Sequence, residues 1–149
     1  MNFEKLLSEK KIEKIDKTDF NLKSVELDLE FAKKGLETNN YNRVMTISYE
    51  AVLRAGNKLM NLLGYRAIGK EHHKNVFEFL KESGFDQELL MFSNKIRVKR
   101  NNFIYRDTEN ISKEEAEEII NKAEQFVHKI RTFVRKIRTQ NKIIKHDNK

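Results

Sequence analysis

Apolar residues recur every three or four positions along most of this chain, the spacing that lines one face of an α-helix. Phe3, Leu6, Leu7, Ile12 and Ile15 fall among charges at this spacing and predict an amphipathic N-terminal helix within residues 1–18. A second helix is expected from Asp19 as N-cap, with Leu22, Val25, Leu29, Ala32 or Phe31, and Leu36 facing inward, ending at Asn39-Asn40. The third, about residues 41–63, carries two stripes. One is Val44, Ile47, Ala51, Ala55, Leu59 and Leu62; the other is Met45, Tyr49, Val52, Gly56, Met60 and Leu63. A helix apolar on two sides belongs in the middle of a bundle.

Gly64 closes that helix, and residues 65–70 lead to a short one over 71–82 that buries Val76, Phe77 and Leu80 and stops at Ser83-Gly84. A fifth helix, about 86–105, follows the stripe Leu89, Phe92, Ile96 and Phe103. The same spacing places Arg100 inside the stripe, and a charge on a core-facing line is unusual. Ser112-Lys113-Glu114-Glu115 has the capping-box pattern. It opens a last helix to about residue 140, with a heptad seam of Ala116, Ile120, Ala123, Val127, Ile130, Val134 and Ile137. Residues 141–149 read as a basic, frayed tail. No strand pattern or internal repeat stands out. The prediction is an all-α, up-and-down helical bundle of five to six helices over residues 19–140, with a long C-terminal helix.

Composition narrows this picture. Proline is absent and glycine occurs five times, so the main helix breakers are scarce. The absence of cysteine removes disulfides, thiolate zinc sites and thiol nucleophiles, and fits a reducing compartment. No apolar run approaches the ~18 residues of a membrane span. The expectation is a soluble, unexported cytoplasmic protein with no membrane partner. The formal charge of +7 is not spread evenly: after His128 the chain holds eight Lys or Arg against Asp147 alone, which accounts for all of it. Arg131, Arg135, Arg138, Lys142 and Lys145 share one helical face there, and any RNA contact on it would be electrostatic and weakly specific.

Several segments in one order carry a family likeness. Ser48-Tyr49-Glu50-Ala51-Val52-Leu53-Arg54-Ala55, then Gly64-Tyr65 and His72-His73, are followed by Ile96-Arg97-Val98-Lys99-Arg100-Asn101-Asn102-Phe103-Ile104-Tyr105 and Ser112-Lys113-Glu114-Glu115-Ala116. In order and spacing this resembles prokaryotic HEPN-domain proteins over about residues 20 to 135. The resemblance implies a helical bundle that often forms a homodimer, with two copies of an Arg-x4-6-His motif across a shared cleft. It implies a metal-independent ribonuclease without cofactors, in several cases a toxin paired with a nucleotidyltransferase-type antitoxin. Other members bind RNA or nucleotide without catalysis. Arg100 and Asn101 match the start of the motif, while Tyr105 stands where the histidine is expected.

Metal-free RNA cleavage needs a base for the 2′-hydroxyl, a cation for the phosphorane and an acid for the leaving oxygen. Arg100 suits the second role, and Arg97, Lys95, Lys99 and Arg106 deepen the field around it. Tyr105 suits the first role badly, because a phenol titrates near ~10, although it can act as donor, acid or nucleotidyl acceptor. Arg97, Asn101 and Tyr105 share a face, whereas Arg100 and Tyr105 sit about 140° apart, so convergence needs a helix end or a second subunit. The competing structural reading has Arg100 snorkelling from the bundle edge or paired with Glu50. His72 and His73 lack metal-motif partners and read as packing or hydrogen-bonding groups, one of which could reach the cleft in place of the missing base. His128 and His146 read as solvated. The alternatives to a ribonuclease are a non-catalytic RNA- or nucleotide-binding HEPN protein partnered with a nucleotidyltransferase, and a helical oligomerisation module built on the heptad seam.

Overall fold

A computed structural model describes the backbone of residues 1–106 and 110–147 and the side chains of residues 1–104 and 110–144. Among the described residues six helices and two short strands follow one another as α1 (Glu4–Ser8), β1 (Ile12–Lys14), α2 (Lys23–Glu37), α3 (Tyr41–Leu63), β2 (Tyr65–Ala67), α4 (His72–Glu82), α5 (Gln87–Arg106) and α6 (Lys113–Asp147). The all-α bundle with a long last helix is therefore what the chain forms. Among the described residues no helix is long and apolar enough to cross a membrane.

The two stripes of α3 give it the central place. Helices α2 and α6 pack on it most extensively, and α4, α5 and β2 also pack on this helix. Val44, Met45, Tyr49, Ala51, Ala55, Leu59 and Met60 are all essentially inaccessible. Gly56 lets α4 approach closely, since a Cβ there would stand 2.8 Å from Val76 Cγ1 and 3.2 Å from Leu80 Cδ1. The heptad seam of α6 is used inside the chain: Ala116, Ile120, Ala123, Val127, Ile130 and Val134 are buried, as is Phe126, whose ring centroid lies 4.8 Å from that of Phe85. That leaves no free seam for a coiled coil along this stretch. Ser112 caps the helix as its sequence suggests, accepting the Glu115 N–H at 3.1 Å on its hydroxyl.

Three boundaries differ from the periodicity. The N-terminal helix of residues 1–18 is a single turn, Glu4–Ser8, after which Lys10 takes a left-handed φ of 57° and the chain enters β1. Strand β1 pairs antiparallel with β2, Ile12 opposite Ala67 and Lys14 opposite Tyr65, and the Glu13 and Arg66 side chains form an ion pair across it. Gly64, with φ of 92°, both terminates α3 and accepts the Ile15 N–H at 2.8 Å, so the turn and the ladder are one device. Helix α2 begins at Lys23, whose N–H is taken by the Asn21 side chain at 2.7 Å, and not at Asp19. The supposed frayed tail continues α6 to Asp147, a helix about 50 Å long at 1.5 Å per residue. Nothing in residues 138–144 is buried, so this end projects from the bundle.

Candidate functional site

The charge inside the apolar stripe of α5 sits over α3. The Arg100 side chain is only 17% exposed, and its guanidinium carbon lies 5.3 Å from the centroid of the Tyr49 ring, an aromatic face that is itself buried. Cation and ring attract through the ring quadrupole, more strongly where water is thinned out. Glu50, the next residue on α3, supplies the counter-ion with Arg100 Nη2 to Oε1 at 3.6 Å. That separation is longer than the roughly 2.7–2.9 Å of a charge-assisted hydrogen bond, so the pair neutralises without locking the guanidinium fork. Among the described residues Arg100 Nε is buried with no hydrogen-bond partner. Arg100 thus pairs with Glu50, as the structural reading expects, while its Nε has no partner among the described residues.

Tyr49 links this guanidinium to α4. Its hydroxyl lies 3.3 Å from His73 Nδ1, and the two rings are 6.0 Å apart between centroids. Burial pushes the Tyr49 phenol up to about 12, although Arg100 and then Arg97 pull the other way, so it stays protonated at neutral pH. His73 moves in the opposite direction. Burial, His72, Arg100 and Arg97, in that order, all hold its pKa below the ordinary 6.5, which keeps the imidazole neutral at pH 7. His72, exposed beside it, has its ring centroid 4.4 Å away and donates from Nδ1 to the Gly69 carbonyl at 3.2 Å. Arg97 reaches its own helix, donating from Nε to Asn94 Oδ1 at 3.0 Å.

The sequence-derived site therefore divides. Arg97 and Arg100 act on one locus with Tyr49, Glu50 and His73. Asn101 is half-buried on the same helix. Lys99 faces the other way and pairs with Glu115 Oε2 at 2.7 Å, which pulls that carboxyl below its usual range. Arg131 is held by Glu26 of α2, leaving Arg135, exposed beside buried Val134, as the freer of those two cations. The side chains of Tyr105 and Arg106 lie outside the described residues, and so do those of Lys145 and His146. Tyr49 and His73 were the members that sequence reasoning did not assign. Tyr49 reads as a core residue of an apolar stripe, and two adjacent histidines at a helix start do not reveal which one turns inward.

Two opposite pH dependences of stability follow. The folded state binds the His73 proton less tightly than the unfolded chain, so stability is complete above pH 6.5 and is lost as pH falls through 6.5 towards the lower folded value. Tyr49 has the reverse sign: stability is complete below its ordinary 10 and is lost as pH rises from 10 towards about 12. Scanning calorimetry across pH 5 to 8 should give a falling melting temperature on the acid side, and His73→Asn should flatten that limb. An unchanged slope in the variant would detach His73 from this environment.

The HEPN domain family model matches residues 20–133, which spans α2 to α5 and most of α6. A comparison with curated proteins finds no match.

Proposed function

Because the chain belongs to the HEPN domain family, whose members are generally tied to nucleotides and RNA, we propose that it binds RNA over the Arg97–Arg100 locus and cleaves it there without a metal ion. The observation that carries this reading is Arg100 itself, a nearly buried guanidinium on the Tyr49 face with Nε unpartnered among the described residues and its counter-ion at 3.6 Å. Such a group is held in place before a ligand arrives, and its Nη N–H groups, not the buried Nε, are the donors it can give to phosphate oxygens. As charge builds on the phosphorane, Arg100 gains more than it does with the ground-state phosphate, which is the differential binding that accelerates a reaction.

The proposal extends to assembly. Met91 and Val98, seven apart on the outer side of α5, are 71% and 49% exposed, an apolar ridge suited to a second copy of the chain. A homodimer joined there lays two copies of α5 side by side, while Arg100, roughly 160–180° round the helix from this ridge, stays on the α3-facing side of its own copy. The exposed cations of α6, Arg135 and Arg138 among them, add weakly specific attraction for the RNA backbone. A second reading keeps the binding and drops the cleavage: Tyr105 in the histidine position of the motif favours a non-catalytic RNA- or nucleotide-binding member, partnered with a nucleotidyltransferase as in a toxin-antitoxin pair.

Photocrosslinking tests the locus. A single-stranded RNA carrying 4-thiouridine, irradiated with the protein in EDTA, should yield adducts on the peptide containing residues 97–101. The same RNA kept dark should return fragments ending in 2′,3′-cyclic phosphate. Adducts confined to residues 129–147 would move RNA binding to α6 and remove α5 as the site.

A further inference from the structure

Among the described residues of α5 within two turns of Arg100 none supplies an ordinary base for the reaction proposed above, yet α4 brings an imidazole to the hydroxyl of the ring on which Arg100 rests. Resting on the ribonuclease reading, we propose that His73 is the general base, acting from Nε2 while Tyr49 fixes the ring through Nδ1. The geometry is that of an oriented imidazole. One ring nitrogen is 3.3 Å from the Tyr49 hydroxyl, and the residue is only half-buried, which leaves its far edge reachable. No described residue makes a hydrogen bond to Nε2. Tyr49 is essentially inaccessible and anchored in α3, so it is a rigid positioning residue for both the imidazole at its hydroxyl and the guanidinium at its face.

The charged and titratable groups around His73 are Tyr49 from α3, His72 from its own helix, and Arg97 and Arg100 from α5. Neither guanidinium would hold the imidazolium, and the carboxylate of this locus, Glu50, is paired with Arg100 at 3.6 Å. A base must be free of its proton before it acts, and this setting keeps it free at neutral pH. The base role requires the tautomer in which Nδ1–H donates to the Tyr49 oxygen, leaving the lone pair on Nε2.

The step balances without a co-reactant. Nε2 takes the proton of a ribose 2′-hydroxyl, and that oxygen bonds to the adjacent phosphorus. The bond from phosphorus to the 5′ oxygen breaks, and the 5′ oxygen leaves with a proton from solvent. The product is a 2′,3′-cyclic phosphate and a 5′-hydroxyl, and the imidazolium returns its proton to solvent. Arg100 faces the non-bridging oxygens throughout.

The experiment compares wild type, His73→Asn and Arg100→Ala on one single-stranded RNA in EDTA, with cleavage rate and RNA affinity measured separately. Asparagine keeps a hydrogen-bonding group near Tyr49 but offers no base. The rate of His73→Asn should fall by about 100-fold or more, at unchanged affinity. In wild type kcat/KM should drop on the acid side with a midpoint below 6.5, and that limb should vanish in the variant. If wild type cleaves, Arg100→Ala does not, and His73→Asn cleaves as wild type does, the ribonuclease reading stands and the His73 assignment is overturned. Intact RNA with wild type overturns both. Nitrogen NMR of the unmutated protein provides a readout that does not depend on the variant folding: Nδ1–H on His73 is expected, and an Nε2–H tautomer excludes it as the base.

Discussion

Phe79→Ala is expected to cost about 3–5 kcal/mol of stability and to lower the melting temperature by roughly 10 °C. Phe79 is fully buried, and its ring stacks on Phe3 at 4.1 Å between centroids and meets Tyr65 at 5.5 Å. Two other pieces of chain, the N-terminal segment at Phe3 and strand β2 at Tyr65, therefore close on this one side chain of α4. Truncation removes the transfer energy of the ring and leaves a cavity that α3, closely approached at Gly56, is poorly placed to fill. Because α4 also carries His73, the variant should lose hydrogen-exchange protection in α4 and at Ile15, whose N–H bonds Gly64, before it loses the α3–α6 core. A shift of only a degree or two in a calorimetric scan would show that the N-terminal segment is not an integral layer of this fold.

That layer is also where the sequence was least legible. Ile12 and Ile15 are three apart, which fits a helix as well as anything else, and a three-residue strand has too few positions to display alternation. What makes β1 a strand is its partner, more than fifty residues later in the chain, together with the left-handed turns at Lys10 and Gly64. Non-local pairing leaves no local signature. Helices α3, α4 and α6 were legible for the opposite reason: each buries a face of many residues, and one period runs through all of them. The end of α6 was misjudged because exposed Lys and Arg read as tail, although no Gly or Pro stands there to stop a helix.

Part of the site was legible in the same way. Arg100 breaks an apolar stripe, and a charge that interrupts a period is visible in a linear string. Glu50 was nameable as its ion-pair partner. The role of Tyr49 was not, because a tyrosine in a core stripe gives no hint that its hydroxyl meets one helix and its ring face another. His73 was undecidable against His72, since adjacent helical positions differ by about 100° and either could face inward. Lys99 illustrates the converse: it stands beside Arg100 in sequence, yet one step round the helix sends it to Glu115.

Arg100→Ala is expected to slow RNA cleavage by about 10²–10³-fold, the range seen when one preorganised donor to a developing oxyanion is removed, or about 2.7–4 kcal/mol of transition-state stabilisation. Stability should change little by comparison. The variant gives up the cation–π contact with Tyr49 and leaves Glu50, whose side chain is 46% exposed and can be solvated, but it also relieves the burial of an unpartnered Nε. Arg100→Lys should recover part of the rate, since it restores charge without the planar fork. The decisive measurement is single-turnover cleavage of a single-stranded RNA in EDTA by wild type and Arg100→Ala, at matched fold as judged by melting temperature. Cleavage by wild type, at least about 100-fold slower in the variant, is the predicted result; RNA left intact by wild type, or cut equally fast by both, would contradict it.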